Sequence, residues 1–462
     1  MMRRVERSTR GPAIGVLAVV ASVLGFVFLA GSPVVHAQAS TRQVSAESLI
    51  FDLKNPDATR RRDAATQLGL AKIQRATPDL VAAAADPDAS VRRAIVDALR
   101  AMADIRALAG FITLSNDPER DIRDKAIEGM TNLYLPQESG LVVTLNKVAT
   151  FLNPLAADEA ADAIIEPDLT ADPGAIEALQ ARMDDPESGL RTKAARALGI
   201  LRGKAAVPAL VRVLSEDRNN TVRFEAARSL RKIGDSSVGP DLTKLVTYTE
   251  PKVRNEVIYT IGRLRYRAAV PELTRLYEKE SALPAKKIDK VYQERLLGAI
   301  AFIGEPASKA LLGRYKGSAD PAIRLHAFEG LGRIADPAMV TELSSDRLKE
   351  KDPKIQTAQA FGLYQLGRKE YLAEVVKALG TKRTNEEAHE YLIELKPAEL
   401  PDLYAQATNP DENIREGIAD VLGLCGDQQS IPTLRDLMRD DRGQIASLAA
   451  QAIRRINART GA

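Results

Sequence analysis

The chain has 462 residues, 45% hydrophobic and 27% charged, with 4% aromatic residues and no Trp. That composition is globular but excludes a core built on bulky aromatic anchors; Ala and Leu, which suit close helix packing, dominate instead. The net charge of +3 comes from Arg3, Arg4, Arg7 and Arg10 against Glu6, and the rest of the chain is neutral. Without a global positive field, nucleic acid is not expected as a partner.

Residues 1–12 are basic, residues 13–31 form an uncharged and mostly apolar run, and Ser-Pro-Val-Val-His-Ala-Gln-Ala follows. This order predicts a signal peptide over residues 1–39, cleaved after Ala37 or Ala39, and hence export to the periplasm or cell envelope of a bacterium. The apolar run is nearly long enough to span a bilayer, so an uncleaved membrane anchor through residues 13–31 is the alternative. Residues 40–54 read as a linker and the start of the first repeat. Cys425 is the only cysteine, so no disulfide forms within the chain and packing alone must hold the fold. Its place at the end of an apolar helix predicts a quietly packed thiol.

Prolines in successive turns then set a beat. Pro56, Pro87 and Pro118 are 31 residues apart; Pro186, Arg218 and Pro251 follow at 32 and 33, Pro321 and Pro353 at 32, and Pro410 and Asp441 at 31. The intervals from Pro118 to Pro186 and from Pro251 to Pro321 are doubled, which predicts one degenerate repeat inside each, near 136–183 and 282–318. A shortened unit is expected at 384–408. The clearest copies fill 184–280: a polar turn, then Leu190-Arg191, Val222-Arg223 or Val253-Arg254 opening a first helix. Gly199, Gly234 or Gly262 follows, then a second helix opened by Pro208, Pro240 or Pro271.

The middle copy explains why helix pairs form. Val222, Ala226, Ala227 and Leu230 fall on one face at helical spacing. Asn220 or Thr221 is placed to cap that helix, and Gly234 to end it in the left-handed conformation. Pro240 is tolerated in the first turn of the next helix, where its missing N–H has no partner anyway. A fixed period of this plan marks a stack of repeats, each burying its apolar face on its neighbours.

The motif Asp-Pro-x-x-x-Val-Arg-x-x-Ala-x-x-Ala-Leu recurs at 86–99 and 409–422 and resembles HEAT repeats, in particular the short class similar to phycobilisome-lyase repeats. The resemblance implies an all-α, right-handed solenoid of about twelve helix pairs over residues 55–460. It also implies first helices on the convex side and second helices lining a concave, partner-binding side.

Eight arginines (61, 92, 123, 191, 223, 254, 324 and 415) share one place in the first helix. Acidic turn residues such as Asp86, Asp117, Asp185 and Asp320 lie near them, so the reading is structural: guanidinium–carboxylate or carbonyl bonds between repeats. A second column, Arg212, Lys244 and Arg275, follows the leading Leu of three second helices, and Glu374, Asp402 and Asp436 hold the equivalent places further on. A groove basic in the middle and acidic toward the C-terminus would suit a protein partner of opposite polarity. The irregular stretch carries an amphipathic face of Leu141, Leu145, Val148 and Leu152, read as a bend in the stack or a recognition insert.

Deoxyhypusine hydroxylase, built from similar repeats, binds iron through several His-Glu pairs. This chain has three histidines: His36 in the leader, His326 followed by Ala327, and His389-Glu390. One pair does not make a two-iron site. No zinc spacing, nucleophile elbow or phosphate-cradling Gly loop is present. The expectation is a non-catalytic protein-binding scaffold with no cofactor and no metal, the alternative being a lyase- or hydroxylase-like HEAT enzyme or enzyme subunit.

Overall fold

The computed structural model describes residues 45–135, 164–166 and 169–461. The leader with both cleavage positions, most of the linker, and Leu141, Leu145, Val148 and Leu152 lie outside the described residues. Within them every regular element is helical. Eleven helix pairs follow one another, where about twelve were expected, preceded by the single helix Ala46–Asp52 and closed by the long helix Gly443–Thr460. The chain is an all-α solenoid.

The local logic holds in the middle copy. Its first helix is Asn220–Ile233, and Val222, Ala226, Ala227 and Leu230 are all buried. The cap is Asn219, not Asn220 or Thr221: its side chain accepts the Thr221 N–H at 2.8 Å, because the helix begins one residue earlier than the sequence suggests. Gly234, with φ +77, ends the helix as expected. A short 3₁₀ turn, Ser236–Val238, then leads to the second helix Gly239–Thr243, which carries Pro240 in its first turn.

Gly199 and Gly262 do something else. Both lie inside first helices, Ser188–Ile200 and Pro251–Arg263, and the left-handed positions beyond those helices fall to Arg202 and Arg265. A Cβ on Gly199 would stand 2.8 Å from Ser229 Cα, and one on Gly262 would stand 2.9 Å from Ala299 Cα. Gly69 against Ala98, Gly332 against Gly362 and Gly423 against Ala452 repeat this close approach between neighbouring first helices.

These contacts reverse the expected curvature. The layer whose helices approach most closely takes the shorter arc, so the first helices form the concave face. Ion pairs reaching across that face agree. Arg263 at the end of Pro251–Arg263 bonds Glu390 of Asn385–Leu392 at 2.9 Å, although three first helices intervene. Arg455 of the last helix bonds Glu166 at 2.7 Å, 289 residues away. The ion pairs described for second helices join only the same or the next repeat.

The two doubled intervals differ. The second holds an ordinary pair, Lys290–Ile303 and Lys309–Tyr315, reached by a longer connection over 282–289 and carrying Tyr292 and Gln293 where other copies have Val-Arg. The middle of the first, 136–163, lies outside the described residues, so only its two ends are placed. Helix Pro173–Arg182 packs between the second helix Leu108–Leu114 and Ser188–Ile200, the position of a second helix completing the pair begun by Arg120–Asn132. Arg123 confirms that register by bonding Asp185, in the turn after Pro173–Arg182, at 2.8 Å. Residues 133–172 therefore form the connection between the two helices of that pair. Its returning limb is fixed where the Ile165 N–H meets the Ile200 carbonyl at 2.9 Å and the Tyr134 hydroxyl accepts the Asp172 N–H at 3.0 Å.

Candidate functional site

The arginine ladder is structural. Arg61 takes Asp86 through two nitrogens at 2.6 and 2.9 Å while a third donates to the carbonyls of Asn55 and Pro56. Arg92 with Asp117, Arg191 with Asp217 and Arg415 with Asp440 repeat this fork, each binding the turn before its own helix to the turn after its own repeat. The planar guanidinium serves both turns at once, which an ammonium cannot. Where the acid is missing or displaced the arginine finds an aromatic ring: Arg223 lies 4.8 Å over Tyr248, and Arg254 lies 3.8 Å over Tyr292 while reaching Asp289 at 2.7 Å. Asp320 does not join the ladder; it caps its own helix through the Ala322 N–H, and Arg324 takes Glu350 instead.

The proposed partner column stands on the second helices, hence on the outer layer, and each member has a carboxylate. Arg212 bonds Asp184 at 2.8 Å, Lys244 bonds Asp241 at 2.8 Å, and Arg275 bonds Glu272 at 2.6 Å. Their acidic counterparts are likewise engaged, Glu374 with Arg347, Asp402 with Lys369 and Asp436 with Arg439. Arg212, Lys244 and Arg275 are exposed but do not converge on a cavity.

Three cavities lie on the other side, among first helices, while a fourth of about 770 Å³ lies beside Ile165, Ile176, Gln180 and Leu201. One of the three, of about 870 Å³, is bordered by Phe224, Arg228, Lys252, Glu256, Tyr259 and Arg295. Tyr259 and Arg295 continue into a smaller cavity of about 140 Å³ that also includes Phe302, His326 and Glu329. Glu390 leads on to a third, of about 650 Å³, with His389, Glu416 and Asp420. Positions three and four residues apart on first helices supply all of these groups, so the signal was in the sequence. The pattern within one repeat leads to the second helices instead, because curvature is set by contacts between repeats.

Neighbouring first helices are also linked by ion pairs across this inner face. Arg196 bonds Glu225 at 2.6 Å, Arg231 bonds Glu256 at 3.2 Å, and His389 meets Asp420 at 2.8 Å. Basic groups dominate from Lys193 to Arg333, and acidic ones from Glu386 to Asp420. The polarity anticipated for the second helices is thus present on the first.

Beside Gly330 lies a polar cluster in which Glu329 is buried, His326 half-buried and Glu294 exposed. His326 Nδ1 and Glu329 Oε2 are 2.8 Å apart, and Glu294 lies 3.9 Å from Nε2, an ion-pair contact rather than a hydrogen bond. Burial by itself would lower the imidazole pKa, but the two carboxylates outweigh it and raise it to about 9. Burial opposes ionisation of Glu329, yet the His326 contact and the Arg333 charge bring its carboxyl down to about 2. Arg333 spans Glu394 at 2.8 and 3.0 Å and lies 4.6 Å over Phe302.

The remaining candidates are quiet. His389 and Glu390 turn to different partners, Asp420 and Arg263. Among the described residues no group of three or more His, Cys, Asp or Glu side chains is arranged to hold a metal ion. Cys425 is largely buried with Sγ against the Val421 carbonyl at 3.2 Å, and burial pushes its thiol up to about 11.

Comparison with known proteins adds the following. A family model described as HEAT repeats matches residues 46–131, 152–231, 207–288 and 367–454. Deoxyhypusine hydroxylases of Aspergillus clavatus and Aspergillus oryzae are each 34% identical over 102 residues, 22% of this chain. The match spans only 30% of the length of those relatives. Among solved structures, an engineered protein is 17% identical with TM-score 0.39, covering 89% of this chain and 98% of its own. A structure concerned with a phosphorylation switch in the interaction between cadherin and beta-catenin is 13% identical with TM-score 0.38, covering 90% of this chain and 100% of its own.

Proposed function

The chain belongs to the HEAT-repeat family, and we propose that it is a non-catalytic scaffold of the bacterial cell envelope that binds a protein partner along the inner face of its first helices. Stacked repeats of this kind offer extended concave surfaces for partners. The observation that carries the assignment to the inner face is the run of three adjoining cavities between Phe224 and Asp420, lined mostly by first helices. The basic leader with its apolar run supports export.

The test is capture by tagged protein, with the partner identified and then repurified for direct titration. Phe224→Asp with Tyr259→Ala should abolish binding, whereas Arg212→Glu, Lys244→Glu and Arg275→Glu together should leave it unchanged. The reverse pattern would return the binding face to the second helices. Fractionation and N-terminal sequencing test the location: a mature end after Ala37 or Ala39 in the periplasmic fraction supports it, and a cytoplasmic chain with an intact leader contradicts it.

A second reading, an enzyme of the hydroxylase kind, draws on the partial likeness to deoxyhypusine hydroxylase. The residues do not fit such an iron site, since His389 and Glu390 diverge and both nitrogens of His326 face carboxylates already in its own network. Stoichiometric iron in the purified protein would favour that reading nonetheless.

A further inference from the structure

We propose that the 870 Å³ trough receives an acidic polypeptide segment; the inference rests on the reading of the inner face as the partner-binding surface and names the partner's chemistry. The molecule contains a precedent for it. Glu390 and Glu394 stand one helical turn apart on the acidic arm, and the basic arm holds both. Arg263 takes Glu390 at 2.9 Å, while Arg265 and Arg333 take Glu394 at 2.5 and 2.8 Å. Tyr391, between the two acids, is buried and stacks on Phe361 with ring centroids 4.8 Å apart. An acidic strip with an aromatic residue is what this arm already binds.

The adjacent trough continues the same chemistry. Arg231 and Arg295 each lie 5.1 Å from the Tyr259 ring centroid, and Arg228 and Lys252 complete the basic lining. The Arg295 guanidinium lying on the ring keeps its N–H edge available for a carboxylate, whereas Arg231 is already engaged. The acidic residues of the trough are engaged within the fold: Arg196 holds Glu225 at 2.6 Å, Glu250 accepts the Val253 N–H at 2.8 Å, and Arg231 holds Glu256 at 3.2 Å. Lys252 and Arg295 make no hydrogen bond or ion pair with the described residues, so positive charge is in surplus where Phe224 and Tyr259 provide apolar surface. The interleaved carboxylates oppose a uniform run of phosphates, whereas a peptide can space its acids between them. That difference favours polypeptide over nucleic acid.

The test uses the full chain and a fluorescent (Glu-Glu-Tyr-Glu)₃ peptide, with (Lys-Lys-Tyr-Lys)₃ and a 12-nucleotide single-stranded DNA as comparisons. The acidic peptide should bind saturably and the basic one should not. Arg295→Glu with Lys252→Glu should weaken binding at least about tenfold. Arg212→Glu with Lys244→Glu, the same charge change on the outer layer, should alter it less than about twofold, with all melting temperatures alike. Absence of saturable binding, an equal loss from the outer pair, or DNA binding as tightly as the acidic peptide would overturn the proposal. Partner capture that still depends on Phe224 and Tyr259 would then show that the face is right and the acidic chemistry wrong.

Discussion

The Tyr391 hydroxyl donates to Glu329 Oε1 at 2.8 Å, tying helix Asn385–Leu392 to Pro321–Ile334 across the helix between them. In a straight stack, helices two repeats apart do not touch. The contact is possible because Gly330 and Gly332 let the Pro321–Ile334 helix sit close to its neighbours, where a Cβ would meet Ala301 Cα or Gly362 Cα at under 3 Å. Glycine on the inner layer thus creates the curvature, and the curvature assembles the polar cluster.

Tyr391→Phe should therefore destabilise the fold. It leaves a buried carboxylate oxygen without its donor while conserving the ring, at a cost of about 2 kcal/mol. Urea unfolding followed by far-UV circular dichroism measures this as a lower midpoint at unchanged slope. An unchanged midpoint would mean that the bond contributes nothing.

Gly332→Ala should act on shape as well as stability. The new Cβ would stand 2.8 Å from Gly362 Cα, which is backbone and cannot rotate away. A loss of about 2 kcal/mol is expected from the overpacking, with an increase in radius of gyration by small-angle X-ray scattering as the first helices separate. Gly443→Ala, at a position with nothing within 4 Å, is the control and should change neither.

The His326–Glu329 pair gives a defined pH window. His326 rises from 6.5 to about 9 on folding, so its contribution is complete below about 6.5 and disappears as the pH climbs through 9. Glu329 falls from 4.5 to about 2, so its contribution is complete above 4.5 and disappears as the pH falls through 2. Both are present together between about pH 4.5 and 6.5. His326→Gln should lower stability by about 3 kcal/mol in that window, and its deficit relative to wild type should shrink by pH 10. A deficit independent of pH would assign His326 a packing role only.

The ladder predicts that Arg191→Lys is not conservative. An ammonium cannot bond both oxygens of Asp217 and the Asp185 carbonyl together, as the guanidinium does at 2.7, 2.9 and 2.9 Å. A loss of about 1 kcal/mol is expected in thermal or urea unfolding, and none if the ladder is decorative.

Period, proline beat and apolar stripes were enough to recover the helix pairs, because each pair's local chemistry repeats within one copy: Val222, Ala226 and Leu230 are where helical spacing puts them. The arginine ladder was legible for the same reason, as acid and base recur at fixed places in every turn. The inner face was not. Gly199 and Gly262 look like helix ends when a copy is read alone, and only the neighbouring Ser229 and Ala299 reveal them as points of close approach. The degenerate repeat expected near 136–183 lies mostly outside the described residues. The His326 cluster depends on residues from separate repeats meeting through curvature, which no local spacing records.

The most direct test is hydrogen–deuterium exchange of the protein alone and with its identified partner, resolved to single helices. Protection should concentrate in Asn220–Ile233, Pro251–Arg263 and Lys290–Ile303, with little change in Val207–Glu216, Gly239–Thr243 or Val270–Ser281. Protection confined to those second helices, with the first helices unaffected, would contradict a partner seated on the inner face.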